Sequence, residues 1–421
     1  MDAAYRKLSG ADGRLFADPQ PVPDQVSFQV DNTSAAYYES TYYKLHRDDL
    51  QHVPEPRMPE PRVDLAAVLE PRFLEAITRK KQISFHAVGD TGAAKVNSFQ
   101  TARQALENEA SVADAMARDV LEGGATGPAF FFHLGDVVYN FGEGQYYYDQ
   151  FYEPFRGYDR PIFAIPGNHD GMVFGDEPDL PRVPTLTAFL RNFCADEPGP
   201  SPDAGSIVRS TMDQPGVYFT LDAPFVSIVG LYTNVLENPG VISSQNGRYP
   251  VLVGDEQLHF LQAELARLAP ARKAGERAVI VACHHPPASV DSSHGGSTGL
   301  AADIDAASRA AGFWPDAVLS GHAHLYQRFT RRVDGREIPY VVAGSGGFAA
   351  TRPVGGLPDT PVTDGEYTLD SPPIVEFGYL TVTVDMTGRD HHLTIEFNDR
   401  TNTRIHDTTH LNLRTGKILR R

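Results

Sequence analysis

Cysteine is scarce in this chain. Its 421 residues include Cys194 and Cys283 and no other, too few for the disulfide framework that holds small secreted domains together. Long apolar runs are missing as well. No stretch approaches the ~20 residues of a membrane-spanning helix. The opening residues, Met1-Asp-Ala-Ala-Tyr-Arg-Lys, start no apolar signal segment. The expectation is a cytoplasmic protein, or a periplasmic or secreted one if a leader has been trimmed, and no membrane partner. Positive charge is the third shortage: 37 Lys and Arg stand against 54 Asp and Glu, a formal charge of −17. No basic stretch precedes the short C-terminal tail, which argues against nucleic acid as the main partner. Internal repeats of solenoid period are absent too.

What the chain does have is a repeated way of ending strands. Phe130–Asn140 reads Phe-Phe-Phe-His-Leu-Gly-Asp-Val-Val-Tyr-Asn. Its apolar half has the pattern of a strand buried on both faces. Gly135 ends it, and Asp136 stands where the chain leaves the sheet. Four other short apolar runs end alike. Ile83–Val88 leads into Gly89-Asp90-Thr91-Gly92, and Pro161–Pro166 into Gly167-Asn168-His169-Asp170. Ala278–Cys283 leads into His284-His285-Pro286, and Ala317–Ser320 into Gly321-His322-Ala323-His324. Carboxylate, amide and imidazole are ligands for hard to borderline cations. Open α/β sheets bind ligands beyond the carboxyl ends of their strands. A buried carboxylate at such a turn needs a cation or hydrogen bonds to offset its desolvation.

In that order the motifs Gly-Asp-x-Gly, Gly-Asp-x-x-Tyr, Gly-Asn-His-Asp, a histidine before x-Pro, and Gly-His-x-His resemble the calcineurin-like metallophosphoesterases. Within them they are most similar to the purple acid phosphatases. Gly92 stands where a histidine is usual in the first motif, and Tyr139 follows Asp136 by three residues. The resemblance covers roughly Ile83 to Asn398. It implies an α/β fold, an αββα sandwich of two mixed sheets flanked by helices, with two metal ions at the strand ends. Periodicity alone supports only α/β. The implied bridging ligand is Asp136. Asp90, Tyr139 and His324 would complete one site, holding Fe(III), with Tyr139 as a phenolate in place of the missing histidine. Asn168, His284 and His322 would complete the other, holding Fe(II), Zn(II) or Mn(II).

A metal pair about 4 Å apart binds phosphate oxygens, acidifies a bound water and neutralises transition-state charge. The activity implied is acid hydrolysis of small-molecule phosphate monoesters by attack of a metal-bound hydroxide. His169 matches the family position that contacts phosphate and protonates the leaving group, with Asp170 placed to orient it. His294 resembles a substrate-binding histidine of the same branch; the alternative is a loop-surface residue. His285 is read as supporting the ligands, and His86 and His133 as packing residues. The rival activity is a phosphodiesterase using manganese or zinc. A non-catalytic binding scaffold is the reading from another class.

Three segments follow from composition: an extension over 1–82, a catalytic domain over 83–400 and a tail over 401–421. The extension contains the proline run 54–62 and Tyr37, Tyr38, Tyr42 and Tyr43. It reads as a segment wrapped on the domain, with a lid near the site as the alternative. Phe99–Leu121 lacks proline and glycine and predicts a long helix. Helices are also expected at 145–155, 185–193, 255–268 (capped by Asp255) and 301–311. Strands are expected at 217–221, 225–232 and 340–343, and a hairpin at 380–397. Gly344-Ser-Gly-Gly347 lacks the lysine of a phosphate-binding loop and reads as a turn passing near the site.

Overall fold

The structure is a computed structural model that describes residues 29–30, 53–92, 102–139, 142–171, 186–234, 240–244, 254–355, 357–401 and 403–419. Tyr37, Tyr38, Tyr42 and Tyr43 lie outside the described residues. The chain runs through strands β1 (Gln29–Val30) and β2 (Arg62–Asp64), helix α1 (Pro71–Lys80), β3 (Gln82–Val88), helix α2 (Ala102–Gly123), β4 (Phe131–His133) and β5 (Ile162–Ala164). Then come α3 (Thr187–Phe193), β6 (Phe219–Ala223), β7 (Val226–Gly230), α4 (Glu256–Lys273), β8 (Ala278–Cys283), β9 (Gly296–Ser297), α5 (Thr298–Ala311) and β10 (Ala317–Ser320). The last part holds β11 (Tyr326–Val333), β12 (Arg336–Ala343), β13 (Val362–Asp364), β14 (Tyr367–Leu369), β15 (Gly378–Asp385), β16 (His392–Asp399), β17 (Ile405–Asn412) and β18 (Lys417–Ile418).

Two mixed sheets result. One has the order β18-β17-β16-β15-β3-β4-β5, the other β13-β14-β11-β12-β10-β8-β7-β6-β2. Within the first, β3, β4 and β5 are parallel. Within the second, β7, β8, β10 and β12 are parallel. Period-2 alternation explains how the sheets stack. Phe85, Phe130, Phe132 and Leu134 point inward and meet Ile280, Ala282 and Leu319 of the other sheet. Phe131 points outward against Val112 and Met116 of α2. Val279, Val281 and Cys283 point outward against Leu261, Leu265 and Leu268 of α4 and Leu300 and Ile304 of α5. The layers are therefore helix, sheet, sheet, helix, as the resemblance implies.

Several local expectations change. The aromatic segment 145–155 is no regular helix but a chain of turns: Gly144–Tyr146, Tyr148–Tyr152 with π-type spacing, and Pro154–Gly157. Asp255 does not cap α4 with its side chain. Its carboxylate instead accepts hydrogen bonds from the N–H and hydroxyl of Ser244, at 2.7 and 3.1 Å. β17 and β18 lie beyond residue 400, so the first sheet continues into the stretch that composition set aside as a tail. The proline run is irregular. Arg57 donates its N–H to the Pro215 carbonyl (2.8 Å), and β2 pairs in parallel with β6.

Candidate functional site

Parallel strands bring their carboxyl ends to one edge. Asp90 follows β3, Asp136 follows β4, Asn168 and His169 follow β5, His284 follows β8, and His322 and His324 follow β10. These turns are tight. Asp90, Asp136 and His322 all take left-handed backbone conformations, with φ of 58°, 56° and 69°, a region unfavourable for side-chain-bearing residues. Gly135, at φ 99°, lies in the same turn. A Cβ there would meet His284 Nδ1 at 2.5 Å, so only glycine lets the two sheets approach here.

The side chains converge on Asp136, which is buried, as is Asp90. The Tyr139 hydroxyl lies 3.0 Å from Asp90 Oδ1 and 2.8 Å from Asp136 Oδ2. His324 Nε2 is 3.4 Å from Asp90 Oδ1. On the other side of Asp136, His284 Nε2 is 3.4 Å from its Oδ2. Asn168 Oδ1 lies 3.1 Å from both His284 Nε2 and His322 Nδ1. Ligand atoms of Asp90, Asp136 and His284 all fall within 4.8 Å of one another. One group of donors is thus Asp90, Asp136, Tyr139 and His324; the other is Asp136, Asn168, His284 and His322.

The electrostatics fit cations. Among the described residues neither Asp90 nor Asp136 has a Lys or Arg at ion-pair distance, so two buried carboxylates have no fixed counter-charge. Burial disfavours charge on His284, yet the Asp136 and Asp90 carboxylates outweigh it and push the imidazole up to about 9. A field that favours a proton at that nitrogen also favours a metal ion there. His284 Nδ1 is 2.8 Å from the Leu134 carbonyl and can donate its N–H to it, which turns Nε2 toward the carboxylates. Burial, then the neighbouring imidazoles, holds His322 well below the ordinary histidine range, so it stays a neutral lone-pair donor. Burial and the two carboxylates push the Tyr139 phenol well above its ordinary value. Phenolate here requires a cation.

Tyr139 is fixed from several sides. Its N–H donates to Gln150 Oε1 (2.9 Å), and Gln150 Nε2 donates back to its carbonyl (2.6 Å). Its ring stacks on Phe348 at 3.7 Å and 5°. A Cβ at Gly92 would sit 2.9 Å from the Tyr139 ring, 2.7 Å from Gln150 Oε1 and 2.8 Å from the Val137 carbonyl. The tyrosine therefore fills the space that a side chain at position 92 would need. Neither Gln150 nor Phe348 was legible as a site residue. Phe348 directly follows the glycine turn, which does pass the site: its N–H donates to the Asp90 carbonyl at 3.0 Å.

His169 lies at the rim, Nε2 3.9 Å from Asp136 Oδ2, its ring 4.1 Å from that of Tyr139. Asp170 does not orient it. That carboxylate accepts instead from the N–H groups of Gly167 (2.9 Å), Val137 (3.0 Å) and Val138 (3.1 Å), tying the second and third turns together. Burial, then Asp136, pushes the Asp170 carboxyl up. His294 is close by, its ring 4.5 Å from His322 and 5.2 Å from His324. His285 packs behind His322 at 4.3 Å, with Nδ1 2.8 Å from the Thr233 hydroxyl. His133 is buried, its Nδ1 accepting from the Gly135 N–H (3.1 Å) and its Nε2 2.9 Å from the Thr91 hydroxyl. His86 lies on the outer face of β3, 3.3 Å from Asp119. No helix of the described residues is long and apolar enough to cross a membrane.

Purple acid phosphatase PPD1 from yellow lupin (Lupinus luteus) seeds overlays with a TM-score of 0.52 at 16% identity, covering 79% of this chain. The match spans 54% of that structure, about half its length. A dimetal phosphatase from Danio rerio overlays with a TM-score of 0.41 at 14% identity, covering 76% of this chain and 96% of that one. At such identities the lupin likeness is one of fold. No curated protein sequence matches. A sequence model of the calcineurin-like phosphoesterases does match, over residues 83–326. That is more than half of the chain and takes in every turn from Asp90 to His324, so the chain belongs to the calcineurin-like phosphoesterase family.

Proposed function

We propose that this protein is an acid phosphatase of the purple type, hydrolysing small-molecule phosphate monoesters at a binuclear metal centre. The observation that carries this reading is the Tyr139 hydroxyl, within 3.0 Å of Asp90 and 2.8 Å of Asp136, its ring where a residue 92 side chain would stand. Asp90, Asp136, Tyr139 and His324 would hold Fe(III), because a buried phenol needs a strongly charged, hard ion to ionise near neutral pH. Asp136, Asn168, His284 and His322 would hold Fe(II), Zn(II) or Mn(II). When bound, the pair supplies Lewis acidity to the phosphate and a water acidified to ionise at mild pH. The chain supplies the rest. Leu134 orients His284, Asp136 ties the two donor groups together, and His169 at the rim binds phosphate or protonates the leaving group.

The experiment is a screen of phosphomonoesters against phosphodiesters, with metal analysis of the same sample. Monoester turnover at acid pH with two metals, one of them iron, is expected. Turnover of diesters alone, with manganese or zinc, would make the protein a phosphodiesterase. Two bound metals with no turnover of either class would make it a binding scaffold.

A further inference from the structure

The loop between β8 and β9 carries an arrangement that metal binding does not require. Asp291 is fully buried. Its Oδ1 accepts hydrogen bonds from the N–H groups of Ser293 (2.7 Å) and His294 (2.9 Å). The same oxygen lies 3.2 Å from His294 Nδ1. Its Oδ2 accepts from the Thr351 hydroxyl. Thr351 in turn donates its N–H to the His324 carbonyl (3.2 Å). One carboxylate thus joins the turn that carries His294 to the segment that holds His324.

A turn of this kind needs an oxygen, and asparagine would supply one. It does not need a charge facing an imidazole. Burial disfavours charge on Asp291, but the adjacent His294 imidazole, the Thr351 hydroxyl and the N–H groups of the turn outweigh it and hold the carboxyl below its ordinary range. Among the described residues no Lys or Arg pairs with Asp291; the side chain that faces its carboxylate is the His294 imidazole, with Nδ1 at 3.2 Å.

We propose that Asp291 is a positioning residue for His294, holding Nδ1 against its carboxylate so that Nε2 is the nitrogen that meets a phosphate oxygen of the substrate. The inference rests on the phosphatase reading, and on His294 as a substrate contact within it. A carboxylate on one imidazole nitrogen sets which nitrogen faces the chemistry, and holding the ring removes the cost of orienting it on binding.

The test uses metal-loaded full-length protein and calorimetry with inorganic phosphate, which needs no turnover. In Asp291→Asn the oxygen still accepts from the turn, while the amide NH2 donates to the Thr351 hydroxyl where the carboxylate accepted from it, and the negative charge is lost. Phosphate affinity should fall about 10–100-fold in Asp291→Asn, the usual worth of a supporting partner, and comparably in His294→Gln. The double variant should bind no more weakly than His294→Gln alone, because the pair acts as one unit. Wild-type affinity in Asp291→Asn, or losses that multiply in the double variant, would overturn the proposal. Should Asp291→Asn fail to fold, the imidazole nitrogen resonances of wild type decide: a proton on His294 Nδ1 supports the pair, and a ring protonated on Nε2 alone refutes it. A wild type that binds phosphate but hydrolyses no monoester would instead sink the phosphatase reading.

Discussion

The Tyr139 hydroxyl has one proton and two carboxylates within reach. Without metal it stays a phenol shared between Asp90 and Asp136; in the proposed centre Fe(III) would make it a ligand. Iron-loaded wild type should then show a visible charge-transfer band, and Tyr139→Phe should lose it. A band that survives would remove the tyrosine from the ligand set. Gly92→Ala is the subtler probe: its methyl would push on the Tyr139 ring and Gln150 while deleting no donor. It should shift or weaken the band, and an unchanged spectrum would show that the ring has room to spare. Asp136→Asn should abolish turnover and release at least one metal ion, since both donor groups share that carboxylate. Two retained metals and near-full turnover would make Asp136 no bridge. These ligand candidates were legible because each is announced locally, by a glycine and a strand end. Their supports were not. Asp170 sits beside His169 in sequence but points back to Val137 and Val138. Asp291 and Phe348 come near the site only through folding, and no local spacing marks such contacts.

At the scale of elements, strands and their endings were plain wherever apolar residues ran to a glycine. The turn series over 144–157 was not, because its buried aromatics suit a helix equally well. β17 escaped notice because polar side chains such as His406, Asp407 and Thr408 dominate it; the pairing with β16 comes from backbone hydrogen bonds that composition does not encode. The far side of the same sheet shows a related device. β5 is the edge strand whose turn delivers Asn168 and His169. Gln214 closes that edge, its Oε1 accepting from the Ala164 N–H (3.1 Å) and its Nε2 donating to the Ala164 carbonyl (2.7 Å). Gln214 is fully buried, so Gln214→Leu would strand two backbone groups away from water. Urea unfolding should show a loss of about 1–3 kcal/mol with little change in slope. A midpoint within error of wild type would mean that water or a backbone shift replaces the amide.

The whole molecule faces a conflict if it works at acid pH, and His86 exposes it. The ring is fully buried between the first sheet and α2. Its Nδ1 lies 3.2 Å from the Tyr158 hydroxyl and its Nε2 3.3 Å from Asp119. A neutral ring that accepts from Tyr158 and donates to Asp119 satisfies both partners. Burial, the largest influence, lowers the His86 pKa, and Asp119 offsets this only in part. The sign follows from proton counting. Below about pH 6.5 the unfolded chain takes up a proton at this histidine, whereas the fold resists it until its own, lower pKa. Stability from this group is thus complete above about pH 6.5 and drains away as pH falls, at up to ~1.4 kcal/mol per pH unit. Buried neutral histidines such as this one narrow the acid range in which a phosphatase could be both active and folded. His86→Gln keeps a neutral polar group at every pH. It should therefore flatten the acid limb of the stability curve by up to one proton's worth, even if it lowers stability at pH 7. Urea denaturation of wild type and variant between pH 4 and 8, at matched metal concentration, isolates that difference from metal release. Parallel limbs would mean that His86 titrates alike in both states and that the acid sensitivity lies elsewhere.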